Sequence, residues 1–132
     1  MSVRYLSCGD TAFTVEFGNE ISPAINGKVM ALHAAIDAAR AAGKLPGVVE
    51  TVPTMRSLMV TYDPARTSRS ELQPGIDRLL ASGLSAAARS RKVTIPCCYD
   101  DPEFAPDLAE VAERTKRTPE QVVAAHLGSA FK

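Results

Sequence analysis

Hydrophobic and polar positions alternate at the start of the chain. Val3 to Cys8 reads as a short strand, and Gly9-Asp10 is a turn signal. Ala12 to Phe17 follows, with Phe13, Val15 and Phe17 on one face and Thr14 and Glu16 on the other. Two such runs with a tight connection predict a hairpin. The period then lengthens. Ser22-Pro23 reads as an N-cap followed by a proline at the first helical position. Ile25, Val29, Leu32, Ile36 and Ala39 then recur at helical spacing until Gly43. Burial of the four large members contributes roughly 6–12 kcal/mol before conformational entropy is subtracted.

Leu45-Pro46-Gly47 is a turn into a strand over Val48 to Val52. A loop through Pro53, Thr54, Met55 and Arg56 leads to another strand, Ser57 to Tyr62. Ser68 with Glu71 three residues on fits a capping box, and Leu72, Ile76, Leu79 and Leu80 form a second helical stripe ending at Gly83. Pro74-Gly75 sits badly within that stripe, so the helix either kinks there or begins at Pro74. Leu84 to Lys92 reads as a linker of small and basic residues.

Val93 to Glu103 reads as a joint. Val93, Ile95 and Cys97 alternate with Thr94, Pro96 and Cys98, as in a strand with one buried face; Pro96 puts it at an edge or stops its pairing there. Asp100-Asp101-Pro102 then turns the chain. Leu108, Val111 and Ala112 mark a short helix, and Thr118-Pro119-Glu120-Gln121 is a capped start for another. The element order is strand-helix-strand-strand-helix-strand, with an extra N-terminal hairpin strand. It implies an α+β fold: a ferredoxin-like sheet with two helices on one face. The domain boundaries follow as 1–91 for this body and 92–132 for an incomplete second unit. Val93, Ile95, Leu108, Val111 and Val122 lack the rest of their domain, which predicts burial against another copy or against the first domain.

Composition narrows the function classes. Fifteen basic residues balance fifteen acidic ones among 132, which gives no electrostatic case for nucleic acid or an anionic membrane. No apolar run is long enough to span a bilayer, and the N-terminus lacks an apolar stretch of signal-peptide length. Three cysteines, two of them adjacent, make no disulfide framework. A reducing cytoplasm is the expected compartment. Cys97 and Cys98 point to opposite faces of a strand and cannot easily share a metal ion, so buried or half-buried small apolar side chains are expected.

Candidate chemistry is sparse. Cys98, beside Tyr99, is the one thiol position worth testing for reactivity. Asp100, Asp101 and Glu103 lack the spacing of a calcium loop and read as turn residues. His33 reads as part of a solvated helix face. Asp10 reads as a hairpin-turn residue, and Glu16 as solvated or paired. Arg56, before Ser57, is the best anion-binding candidate, because a guanidinium can grip a carboxylate bidentately. No metal site, phosphate loop, dinucleotide fingerprint or Ser/His/Asp order is present.

Three blocks carry a resemblance. They are GDTAFTVEFGNEISPAINGKV, VPTMRSLMVTYDP and IPCCYDDPEFAPDLAEVAERTKRTPEQVVAAH. Together they resemble the bacterial family that contains the 5-oxoprolinase B subunit, allophanate hydrolase subunit 1 and the kinase inhibitor KipI, also found in the carboxyltransferase region of urea amidolyases. The matching positions are Gly9, Asp10, Glu16, Phe17 and Gly18; then Pro53, Arg56, Ser57, Leu58, Asp63 and Pro64. In the third block they are Ile95, Pro96, Cys98, Tyr99, Pro106, Asp107, Leu108, Val111, Ala112 and His126.

The resemblance implies a small N-terminal domain followed by the truncated start of a cyclophilin-like β-barrel domain, since an aromatic and glycine/proline-rich block is missing. It implies part of the B subunit of an ATP-dependent 5-oxoprolinase, which opens 5-oxo-L-proline to L-glutamate with partner subunits of the A and C type. The isolated chain is expected to be inactive, and ATP belongs to the complex, with no cofactor in this chain. A KipI-like inhibitor of a sensor histidine kinase and a non-catalytic assembly domain are the alternatives. Arg56, Ser57, Cys98, Tyr99 and His126 are the residues implied for ligand binding. Catalytic groups are expected in the missing part or in partner subunits.

Overall fold

Phe13, Val15, Val29, Leu32, Ile36, Leu58, Val60 and Ile76 have no exposed side-chain surface and form the centre of one hydrophobic core. They come from both periodicities read above, the period of two in strands and of 3.6 in helices. The computed structural model describes residues 3–84 and 92–131. The chain divides into two compact units, Met1–Ser90 and Arg91–Lys132.

The first unit contains β1 (Arg4–Ser7), β2 (Ala12–Glu16), α1 (Pro23–Ala41), β3 (Val48–Pro53), β4 (Ser57–Tyr62) and α2 (Arg69–Ala81). The strands form one antiparallel sheet in the order β1-β2-β4-β3. Both helices lie on one face. His33 of α1 reaches Thr51 Oγ1 at 2.6 Å, and the Tyr5 hydroxyl donates to Asp77 Oδ1 of α2 at 2.7 Å. These contacts fix the parity of the sheet. Tyr5, Phe13, Val15, Leu58 and Val60 point toward the helices, while Arg4, Leu6, Thr14, Glu16, Ser57 and Met59 point to the open face.

The N-terminal hairpin strand is therefore not an extra element. β1 occupies the edge beside β2, the place the element order reserved for a final strand. A hairpin fills that edge because Gly9 adopts φ +67° and closes the turn, with the Cys8 amide bonded to the Ala12 carbonyl at 3.0 Å. At the other edge, Gly47 adopts φ +85°, and a Cβ there would lie 2.5 Å from Thr67 Cγ2.

Ser22 occupies the N-cap of α1 and Pro23 its first turn, although the Ser22 side chain makes no capping bond. The capping box of α2 is complete, so the helix begins at Arg69 and runs through Pro74 rather than starting there. Two reciprocal bonds at the N-terminus hold the first turn, and Pro74 forfeits only one later backbone bond. The linker expectation for residues 84–92 falls mostly outside the described residues.

The second unit contains α3 (Leu108–Thr115) and α4 (Pro119–Leu127), the latter opened by a complete Thr118–Gln121 capping box. The joint strand is not formed. Residues 92–98 are exposed and carry no strand, and Val93 and Ile95 are 58% and 74% exposed instead of buried on one face. A strand needs a partner ladder to satisfy its amides, and none lies among the described residues here. The described part of this unit accordingly holds no barrel. Asp101 turns the chain as expected, its Oδ1 accepting from the Glu103 amide at 2.9 Å. Val111 is likewise exposed, whereas Leu108 and Val122 are half-buried.

Candidate functional site

Glu16 is the buried charged residue among the described residues of the first unit. It lies at the end of β2, on the face opposite α1 and α2, where Arg4 and Arg56 close over it. The hairpin register sets Arg4 opposite Glu16, and the β2–β4 register sets Ser57 on its other side. Arg4 donates to Glu16 Oε2 through both Nε, at 2.7 Å, and Nη2. Arg56, in the turn between β3 and β4, donates through Nη1 to Glu16 Oε1 at 3.0 Å and to the Gly18 carbonyl at 3.2 Å. Each carboxylate oxygen thus has its own guanidinium.

The turn carrying Arg56 is itself fixed. Thr54 Oγ1 bonds Ser57 Oγ at 2.9 Å and accepts from the Ser57 amide at 3.1 Å, and the Thr54 amide donates to the Ser57 carbonyl at 2.8 Å. The Phe17 amide bonds the Arg56 carbonyl at 3.0 Å, which ties this turn to the end of β2. Ser57 is thereby a positioning residue for the turn. Two cations face one anion, so the cluster carries a formal excess of one positive charge. The arginine side chains remain 66% exposed for Arg4 and 44% for Arg56, over a glutamate side chain that is 7% exposed. The arrangement can offer a fixed cationic surface to an anion.

In the second unit, the Tyr99 hydroxyl and His126 Nδ1 are hydrogen-bonded, with the two rings edge-to-face at a centroid separation of 5.8 Å. Phe131 lies against the same imidazole at 5.0 Å. Desolvation, then the neighbouring Cys97 thiol, pushes the Tyr99 hydroxyl above its ordinary pKa. Tyr99 also lines a shallow cavity of about 250 Å³ with Asp100, Pro102, Ala105, Pro106 and Leu108. Cys98 stands exposed, as do Cys8 and Cys97, so none is the buried small apolar group expected. A thiol buries when an element packs over it, and residues 92–98 form no such element.

The five residues implied for ligand binding therefore fall into two places. Arg56 and Ser57 stand at the Glu16 cluster, and Tyr99 pairs with His126, while Cys98 has no described partner. His33, expected on a solvated face, instead bridges α1 to Thr51 of β3 and lies 3.6 Å from Asp37. The sequence reading missed Arg4. The hairpin signal at Gly9-Asp10 was available, because a three-residue loop over positions 9–11 pairs position 4 with position 16.

The chain is similar to known proteins. The family model described as carboxyltransferase domain, subdomain C and D, matches residues 3–132. The chain is 34% identical to the 5-oxoprolinase B subunit of Bacillus subtilis (strain 168) over 99% of its own length. It spans 58% of that relative. It is similar to the crystallised protein TTHA0988, with a TM-score of 0.66 and 32% identity over 93% of this chain and 21% of that one. The N-terminal domain of the histidine kinase inhibitor KipI from Bacillus subtilis is 32% identical over 62% of this chain and 89% of that domain, with a TM-score of 0.48.

Proposed function

This chain belongs to the carboxyltransferase-domain family, subdomain C and D, and from that membership we propose that it acts as part of the B subunit of a 5-oxoprolinase. In this reading the complex cleaves the lactam of 5-oxo-L-proline to give L-glutamate at the expense of ATP. The partner subunits, of the A and C type, supply the ATP site and the catalytic groups. The observation that carries the reading is the 34% identity to the 5-oxoprolinase B subunit across 99% of the chain.

The chain covers little more than half of that relative, so the proposed role is that of a portion of the whole polypeptide. A cyclophilin-like barrel following residue 92 belongs to the same proposal, as does a cytoplasmic setting. The test is reconstitution of a full-length form with its candidate partner subunits and assay of ADP release. ADP release that depends on 5-oxoproline and on this component is expected, with none from the chain alone. Turnover of allophanate instead, or suppression of a sensor kinase's autophosphorylation without any hydrolysis, would replace the reading with one of its relatives' roles. ADP release by the purified chain alone would overturn the division of labour.

A further inference from the structure

Arg56 holds Glu16 and the Gly18 carbonyl through a single nitrogen, Nη1. A guanidinium has five N–H donors, and its Nε–Nη2 edge is one of the paired faces that fit a carboxylate. That edge of Arg56 makes no hydrogen bond or ion pair among the described residues, and the side chain is 44% exposed. Arg4 is engaged differently. It spends Nε and Nη2 on Glu16 Oε2, which leaves Nη1 outward on a side chain that is 66% exposed. Glu16 neutralises only one of the two cations.

We propose that the Arg4–Glu16–Arg56 cluster is a carboxylate-binding site for a small organic acid, gripped bidentately by the free edge of Arg56, with Arg4 adding charge beside it. Glu16 is the anchor that aims both guanidiniums, which removes much of the entropic cost of ordering a free arginine. The next cross-strand row on the same open face is Leu6, Thr14, Met59 and Val52, about 6.8 Å away at two residues along a strand. Leu6 and Val52 are 42% and 40% exposed. A ligand whose carboxylate sits on Arg56 has this row, apolar except for Thr14, within reach, so the site favours a carboxylate on a compact, weakly polar body over inorganic phosphate. The inference stands apart from the hydrolase reading, since it requires binding alone.

The experiment follows the Arg56 Nε–H signal by NMR in the full chain during titration with sodium acetate, 5-oxo-L-proline and phosphate, each against sodium chloride at equal ionic strength. A saturable shift with acetate and 5-oxo-L-proline, in the millimolar range and beyond the chloride control, is expected. Arg56→Lys keeps the charge and removes the fork; with the Gly18 and Ser57 backbone amides as the readout in both proteins, an affinity at least about tenfold weaker is expected. An Nε–H signal that moves no more than in chloride overturns the proposal, as does equal affinity in Arg56→Lys. Tighter binding of phosphate than of either acid also overturns it. If Arg56→Lys fails to fold, the wild-type titration alone decides. Binding of both acids together with a reconstituted complex that lacks 5-oxoproline-dependent hydrolysis would sink the hydrolase reading and leave this one standing.

Discussion

Two residues of the first unit concentrate its electrostatics. Glu16 is buried on the open sheet face, and two guanidiniums bracket it. Removing the carboxylate leaves both arginines without their common partner, and their own exposure lets water recover part of the loss. Glu16→Ala is expected to destabilise the protein by about 2–3 kcal/mol, and Glu16→Gln by less, as read from urea unfolding. An unchanged midpoint for Glu16→Ala would show that the cluster contributes nothing to folding.

Tyr5 is the second such residue. Burial first, and then its hydrogen bond to Asp77, raises the Tyr5 pKa well above the ordinary phenol value of 10.0. The folded state thus holds this proton more tightly than the unfolded chain. The contribution is fully present below about pH 10 and is lost as pH rises through the folded pKa. Tyr5→Phe is expected to unfold more readily at pH 8, by about 1 kcal/mol for the missing hydrogen bond. The gap to wild type is expected to shrink above pH 10, and a gap independent of pH between 8 and 11 would refute the account. The identities of Glu16 and Tyr5 were plain in the sequence, but their partners were not. Asp77 lies 72 positions from Tyr5, and no local pattern links them.

Elements followed local rules closely. The Ser68–Glu71 box, in which the Ser68 amide donates to Glu71 Oε2 at 2.8 Å, sets the start of α2 against the pull of Pro74. Ser68→Ala is expected to cost about 1 kcal/mol and to lower the unfolding midpoint without changing its slope. No change would mean that packing of Leu72 and Ile76 alone places the helix start. The Thr118–Gln121 box opens α4 on the same signal. The joint over residues 93–98 shows where local rules stop. Its alternation satisfies the strand pattern, but alternation specifies only which side chains share a face. The ladder needs a second strand, and the described residues of that unit provide none.

The two units differ in how far each completes itself. Among the described residues, the first closes a core of thirteen buried residues from Phe13 to Ile76. Among those of the second, Ala112 is the buried apolar residue, and Val93, Ile95, Phe104, Val111, Leu127 and Phe131 are exposed. Apolar surface of that extent favours association. Light scattering of the purified chain is expected to give a mass above the monomer that falls on dilution. A monomer at all concentrations, with no binding of an apolar dye, would contradict this.

Letters alone determined the four strands of the first unit, the caps that open α1 and α4, which side of each element is apolar, and that the chain's blocks match a known family. Those features depend on residues within about one turn or one strand of each other, and neighbours in sequence are necessarily neighbours in space. Tertiary structure decided that Arg4 and Arg56 share Glu16, that Tyr99 meets His126 across 27 positions, and that an alternating run stays unpaired. Such contacts are made by segments that folding brings together, and their energies come from burial and pairing that no single segment encodes.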